Sequence, residues 1–204
     1  MNSSQPEEPD TRRFAAAAEL KQSPAGLEAL IAAIRTYAEA GGATATAVFD
    51  VADIELREEV RAMCAADRCH SYGKNWMCPP HIGDLATWRG RIDQYSHGIL
   101  IQRTCQLEDS FDYEAMAEGQ RILKGLFNNF VDEGACPPGM LLLTCGTCTL
   151  CSSCGCPDIP CRFPDRAYPS LEAIGILVTD LCRTAGLPYY YGENTLTWSG
   201  GILV

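Results

Sequence analysis

The sequence has little positive charge, no long hydrophobic run and no export-type start. It carries 16 lysines and arginines against 26 aspartates and glutamates, for a formal net charge of −10. Nucleic-acid-binding domains usually present a basic stripe, and this sequence has none. Negative charge also disfavours docking on an anionic membrane, and no stretch approaches the roughly 20 apolar residues of a spanning helix. We therefore expect neither nucleic acid nor a membrane as a partner.

The start of the chain lacks the basic segment and the apolar core of a secretion signal. We interpret residues 1–13 as a disordered tail and residues 14–204 as a single domain, and we expect the protein to be cytoplasmic. The cytosol keeps thiols reduced, so the twelve cysteines are poor candidates for a disulfide framework. Metal ligation becomes the leading interpretation, and the domain is expected to be metal-binding.

Helical and extended patterns alternate along the chain. Capping residues and apolar spacing predict helices over residues 23–41, 53–63, 110 onward and 170–186. Short strands are predicted at 44–49, 98–104 and 139–144, with two more within 194–204. Residues 64–84 break all periodicity. The pattern favours an α/β or α+β fold, a single layered domain with a mixed sheet, flanking helices and two cysteine-rich loops.

The densest cysteine segment is residues 145–161, which holds six cysteines in 17 residues. A 4Fe–4S cluster needs four converging thiolates; a C-x-x-C-x-x-C run supplies three from one tight loop, and a fourth comes from further along the chain. The predicted ligands are Cys148, Cys151, Cys154 and Cys161. Cys161 is preferred to Cys156 because it reaches further, which leaves Cys145 and Cys156 spare or available to another metal.

Zinc is the competing metal, because Cys₄ zinc sites also use C-x-x-C pairs. In such sites the two pairs usually stand roughly a dozen or more residues apart. The cysteines here follow one another without that spacer, which favours an iron–sulfur cluster. A set of buried thiols with no metal is a weaker interpretation, because the segment is polar and rich in turn residues.

A second constellation lies upstream, where Cys64, Cys69 and Cys78 follow a C-x₄-C-x₈-C spacing. Three thiolates allow two chemistries: a distant residue completes the cluster, or one iron keeps an open position for water or substrate. An open position distinguishes a catalytic metal site from a structural one. His70 and His81 flank the loop as further possible ligands, although a lone loop histidine is more often simply exposed.

Three more side chains are candidates for cofactor binding. Lys74 is placed to offset thiolate charge, Trp76 to shield a cluster from water, and Arg162 to pair with a carboxylate or a cluster sulfide. Plain packing of Trp76 and solvation of Lys74 explain those two residues equally well. The sequence alone does not choose between these interpretations.

Several segments together carry a resemblance to a known family. They are Cys-His-Ser-Tyr-Gly-Lys-Asn-Trp-Met-Cys-Pro-Pro at 69–80, and the segments 107–113, 148–154, 160–164, 169–173 and 188–197. Over residues 45–204 the sequence resembles an uncharacterised family of predicted metal-binding proteins, a domain of unknown function. The resemblance implies metal binding through the seven cysteines of the two loops and implies little about a reaction. It leaves outside its motifs Cys105, Cys136, Cys145, Cys156 and Cys182.

We therefore expect one or two 4Fe–4S clusters serving electron transfer or small-molecule redox chemistry, with a redox partner protein or a small-molecule substrate. One alternative is a non-redox enzyme whose three-cysteine cluster has an open iron, acting in dehydration or desulfuration. Another alternative is a zinc-stabilised interaction module. The sequence leaves open whether the chain is an enzyme.

Overall fold

The computed structural model describes residues 23–204. The tail expected at residues 1–13 lies outside the described residues. Within residues 23–204, no helix is both long enough and apolar enough to cross a membrane.

One four-stranded sheet organises the described chain. Its strands are β1 (Ala45–Asp50), β2 (His97–Gln106), β3 (Leu141–Leu143) and β4 (Thr195–Leu203), in the order β1-β2-β4-β3. All three strand pairs are antiparallel, so the fold is α+β and the expectation of a mixed sheet is wrong. The helical connections are long enough to return the chain to either end of the sheet, so alternating strands and helices do not fix strand direction.

Five α-helices flank the sheet in the described residues. They are α1 (Pro24–Ala40), α2 (Glu58–Ala65), α3 (Leu85–Ile92), α4 (Tyr113–Asp132) and α5 (Val178–Ala185). The predicted cap of α1 is confirmed, because the Ser23 hydroxyl accepts a hydrogen bond from the Gly26 backbone N–H at 3.1 Å. Asp112 caps α4 in the same way, accepting from the Ala115 N–H at 3.0 Å.

Two predicted helices are shorter than expected. Residues Val51–Asp53 form a 3₁₀ turn, and α2 starts only at Glu58. The helix expected over 170–186 is interrupted, because Gly175 adopts a left-handed conformation (φ 94°) after the 3₁₀ turn Glu172–Ile174. The helical spacing continues across this break, so periodicity alone could not detect it.

Two further elements differ from the sequence-based expectation. The helix α3 was not predicted, and it begins where the Asp84 side chain accepts from the Thr87 N–H at 2.7 Å. The two strands expected within 194–204 are one continuous strand, β4. It runs through Gly200 and Gly201 because both pair with the central strand β2.

Hydrophobic cores cover both faces of the sheet. In β2, Ile99 and Ile101 point to the side covered by α1 and α4, whereas Leu100 points to the side covered by α3 and α5. All three residues are fully buried. Burial of each such side chain contributes about 1.5–3 kcal/mol to folding. The packed sheet thus forms a rigid base, and both cysteine loops extend from it, one after α2 and one after β3.

Candidate metal centre

The first cysteine loop, residues 64–84, folds back on itself. Asp67 organises it: one carboxylate oxygen accepts from the Tyr72 N–H at 2.9 Å, and the other lies 3.3 Å from the Lys74 ammonium. The Gly73 N–H donates to the Pro79 carbonyl at 2.9 Å. The three cysteines of this loop differ in exposure: Cys64 is half-buried, Cys69 is exposed and Cys78 is buried.

The second cysteine loop, residues 145–161, begins at the buried Cys145 just after β3. Gly146 allows it to turn against α4, with φ at 61°. A Cβ atom at this position would stand 2.6 Å from the Gln120 amide nitrogen and would push that side chain aside, and the left-handed φ itself favours glycine. Further along, the Arg162 guanidinium donates to the Ser153 carbonyl at 2.9 Å and holds the loop's outer end.

The structure brings the two loops into direct contact. The Asn75 amide nitrogen donates to the Thr147 hydroxyl and to the Cys148 carbonyl, both at 3.1 Å. The Cys78 sulfur lies 3.7 Å from the Thr147 hydroxyl oxygen. On the outer side, the Trp76 indole N–H donates to the Ile159 carbonyl at 2.9 Å. The two cysteine sets therefore belong to one composite site.

A cavity of about 330 Å³ lies between the loops. Lys74, Asn75 and Trp76 line it from the first loop. From the second loop it is lined by Cys148, Cys151, Cys154 and Cys161. All four cysteines predicted as the second ligand set thus face one space, whereas Cys145 and Cys156 are not among the lining residues.

Electrostatics also connect the cysteines of each loop. Burial raises the pKa of Cys78 to about 11, and the charges of Cys69, Cys64 and Cys148 contribute further. Burial likewise raises the pKa of Cys148, which feels the charges of Cys161, Cys154 and Cys151. Thiols with raised pKa values are protonated at neutral pH, and a bound metal must displace those protons.

Lys124 on α4 is a functional candidate that the sequence analysis missed. Its ammonium donates to the Thr147 carbonyl at 2.5 Å. Burial lowers the pKa of Lys124, and the charges of Cys145, Cys148 and Cys78 act in the opposite direction. The sequence carries no signal for it, because a lysine beside the buried stripe of a long helix is ordinary. The ammonium supplies positive charge where the two loops meet.

Cys145, the buried first residue of the second loop, feels the charges of two side chains from elsewhere in the fold. Burial raises its pKa to about 12, with Lys124 lowering and Glu172 raising the value. Burial also raises the pKa of Glu172, whose charge acts on Cys64 as well. Two other cysteines outside the motifs, Cys105 and Cys182, are buried in the protein interior.

The remaining predicted residues take varied positions. His70 lines the cavity between the loops, and the His81 ring packs edge-on against Trp76 at 5.5 Å. Across residues 23–204, no three side chains of His, Cys, Asp or Glu are grouped closely enough to hold a metal ion as folded. The thiols fit a metal by type and by their shared cavity, but the loops must draw closer to ligate one. The ligand assignments stay predictions.

Comparison with known proteins gives one match. Residues 47–204, more than half of the chain, match the family described as predicted metal-binding protein (DUF2284). No curated protein and no solved structure matches the chain. The matched range contains both cysteine loops and the whole sheet except the first two residues of β1. The chain therefore belongs to this family of predicted metal-binding proteins.

Proposed function

We propose that the composite site binds 4Fe–4S clusters, one in each cysteine loop, and that the chain passes electrons to a redox partner protein or a small-molecule substrate. The observation that carries this proposal is the cavity lined by Cys148, Cys151, Cys154 and Cys161. Four thiols from one short segment that face a common space are the donor set of a cubane cluster. A bound cluster supplies one-electron chemistry.

The chain's own residues fit the surroundings of such a cluster. The Asn75 amide donates to the Thr147 hydroxyl, which leaves that hydroxyl's own proton available for the Cys78 sulfur 3.7 Å away. Hydrogen bonds to cluster sulfurs tune the cluster potential. Trp76 covers the outer side of the cavity. Lys124 brings one positive charge to a site where several thiolates would otherwise repel one another.

Iron–sulfur is favoured over zinc by the second loop. Its donors are thiols alone, and they follow a continuous spacing rather than two separated pairs. We also propose a cytoplasmic location, because an exposed Cys69 and half-buried thiols persist as thiols only in a reducing compartment. The net charge of −10 leads us to propose neither nucleic acid nor a membrane as a partner.

The first loop supports a second candidate function, that of a non-redox enzyme. Cys69 is exposed, and the loop contributes only three cysteines, so a cluster there would keep one iron accessible from solvent. An accessible iron can act as a Lewis acid in dehydration or accept sulfur in desulfuration. A cluster with four protein ligands at this loop would exclude this candidate.

Anaerobic purification followed by iron, sulfide and zinc counts tests the proposal. We expect brown protein with about eight irons and eight sulfides per chain, the content of two 4Fe–4S clusters. Reduction should produce a low-temperature electron paramagnetic resonance signal. Colourless protein with stoichiometric zinc and no sulfide would instead establish the zinc-stabilised module.

A further inference from the structure

A second cavity adjoins the cysteine loops on their outer side. Its volume is about 680 Å³, which lies within the range of sites for small organic molecules. Four residues, Trp76, Met77, Cys161 and Ala167, line both this groove and the cavity between the loops. A molecule in the groove would therefore lie beside a predicted metal ligand.

The groove wall is mostly apolar and contains two anchored tryptophans. The Trp88 indole N–H donates to the Ile82 carbonyl at 2.9 Å, and the ring is buried. Trp76 is held by its bond to the Ile159 carbonyl. Because both rings are fixed before a ligand arrives, binding against them costs little side-chain entropy.

Each tryptophan carries a basic partner at the groove. The Arg91 guanidinium lies over the Trp88 ring, 4.8 Å from its centre, and the His81 ring packs on Trp76. Arg91 is exposed and forms no ion pair with any carboxylate in residues 23–204. Asp158 also lines the groove, as the one acidic residue among the described residues around it. In a chain of net charge −10, an arginine without a paired carboxylate is a local site for an anion.

We infer that this groove binds a small aromatic organic anion, a carboxylate or a phosphate, with its ring against Trp76 and Met77 and its charged group on Arg91. The apolar wall selects the ring, and the guanidinium selects a planar or tetrahedral anion through paired hydrogen bonds. The claim that such a ligand is also the substrate of the metal centre rests on the proposed function; the claim that it binds does not.

The test uses the full chain, purified anaerobically, with benzoate and phenyl phosphate as probes and benzamide as the neutral control. Saturation-transfer nuclear magnetic resonance and tryptophan fluorescence report binding without any need for a metal. We expect both anions to bind saturably, and benzamide to bind about tenfold more weakly, because it lacks the charge-assisted bond.

Two variants and one control locate the binding. Arg91→Gln should weaken benzoate about tenfold and leave benzamide unchanged, whereas Asp158→Asn should strengthen benzoate. Arg121→Gln, which removes an exposed arginine of α4 that does not line the groove, should change neither. Equal binding of benzamide and benzoate, or equal benzoate affinity in Arg91→Gln and wild type, would overturn the inference.

The inference and the proposed function fail separately. Iron-loaded protein that binds neither anion would overturn the inference and leave the cluster proposal standing. Anion binding to protein that holds stoichiometric zinc and no sulfide would support the groove and overturn the cluster proposal. A change in the cluster's resonance signal on adding benzoate to iron-loaded protein is expected if the groove ligand meets the metal centre.

Discussion

The two cysteine loops differ in how they present their thiols. The first spreads three cysteines over three environments, since Cys64 is half-buried, Cys69 exposed and Cys78 buried. The four predicted ligands of the second loop have similar exposure, since all are half-buried, and all four line one cavity. Four thiols of similar exposure suit a cluster whose irons all have protein ligands. Three thiols of different exposure suit a metal site with one accessible position. If the proposed function holds, this contrast favours electron storage at the second loop and substrate chemistry at the first.

The loops also differ in what holds them. The first loop is held mainly by hydrogen bonds within itself, around Asp67. The second loop packs against α4 at Gly146 and accepts a hydrogen bond from Lys124 of that helix. Thr147 is the meeting point, because its hydroxyl accepts from Asn75 of the first loop and its carbonyl accepts from Lys124. Perturbing one loop should therefore affect the other, in part through Thr147.

The largest expected effect is a difference in iron content between two variants of the second loop, one at a predicted ligand and one at a spare cysteine. Cys151→Ser should remove the second cluster, about four of eight irons, and destabilise the loop, because cluster binding is part of the folding free energy. The Cys156→Ser variant should keep the full iron content of the wild type, since Cys156 does not line the cavity. Iron counts and thermal unfolding of anaerobic protein measure both. Equal loss of iron in the two variants would show that Cys156 is a ligand of the cluster and would overturn the choice of Cys161 as the fourth ligand.

The next effect concerns the buried link between the loops. Asn75 is 7% exposed, and besides its two bonds to the second loop its amide oxygen accepts from the Met77 N–H at 2.9 Å. Asn75→Ala removes three hydrogen bonds and should lower the free energy of unfolding by about 2 kcal/mol. Denaturant unfolding measures the change, with Asn129→Ala on the exposed face of α4 as the control. A loss no larger than that of the control would contradict a role for Asn75 in joining the loops.

The local signals of the scaffold were readable from the sequence. The Ser23 cap, the apolar stripe of α4 and the buried runs of β2 and β3 each depend on residues close together in the chain. Strand direction, the break at Gly175 and the helix α3 depend on contacts between distant segments, and pattern alone does not report those contacts. Local periodicity therefore identified most elements but not the antiparallel sheet.

The candidate site shows the same division. Spacing singled out seven cysteines, and the structure places four of them around one cavity. The cysteine spacing did not indicate that the Asn75 side chain bonds the Cys148 carbonyl, 73 positions away in the chain. Nor did it indicate that Lys124, on the helix α4, bonds the second loop where the two loops meet. The side chains that join the two sets were missed because each looks ordinary in its own segment.

A smaller effect is expected from the charge between the loops. Lys124→Met removes both the ammonium and its bond to the Thr147 carbonyl, and should cost about 1 kcal/mol of stability. Lys124→Gln removes the charge but keeps a donor. Both variants should make the clusters harder to reduce, because less positive charge surrounds them. Redox titration followed by resonance spectroscopy measures the potential. Unchanged potentials in both variants would restrict Lys124 to a structural role.

The smallest effect tests the outer link, where Trp76 of the first loop bonds the Ile159 carbonyl of the second. Trp76→Phe keeps an aromatic ring but loses the indole N–H, which should cost about 0.5–1 kcal/mol, because the freed carbonyl is at the exposed side and water replaces the donor. The change should therefore be smaller than that of Asn75→Ala, whose carbonyl partner is in the part-buried contact. Parallel denaturant unfolding of the two variants checks this order. If Trp76→Phe cost more than Asn75→Ala, the outer contact rather than the inner one would hold the loops together, and Trp76 would be the main structural link of the composite site.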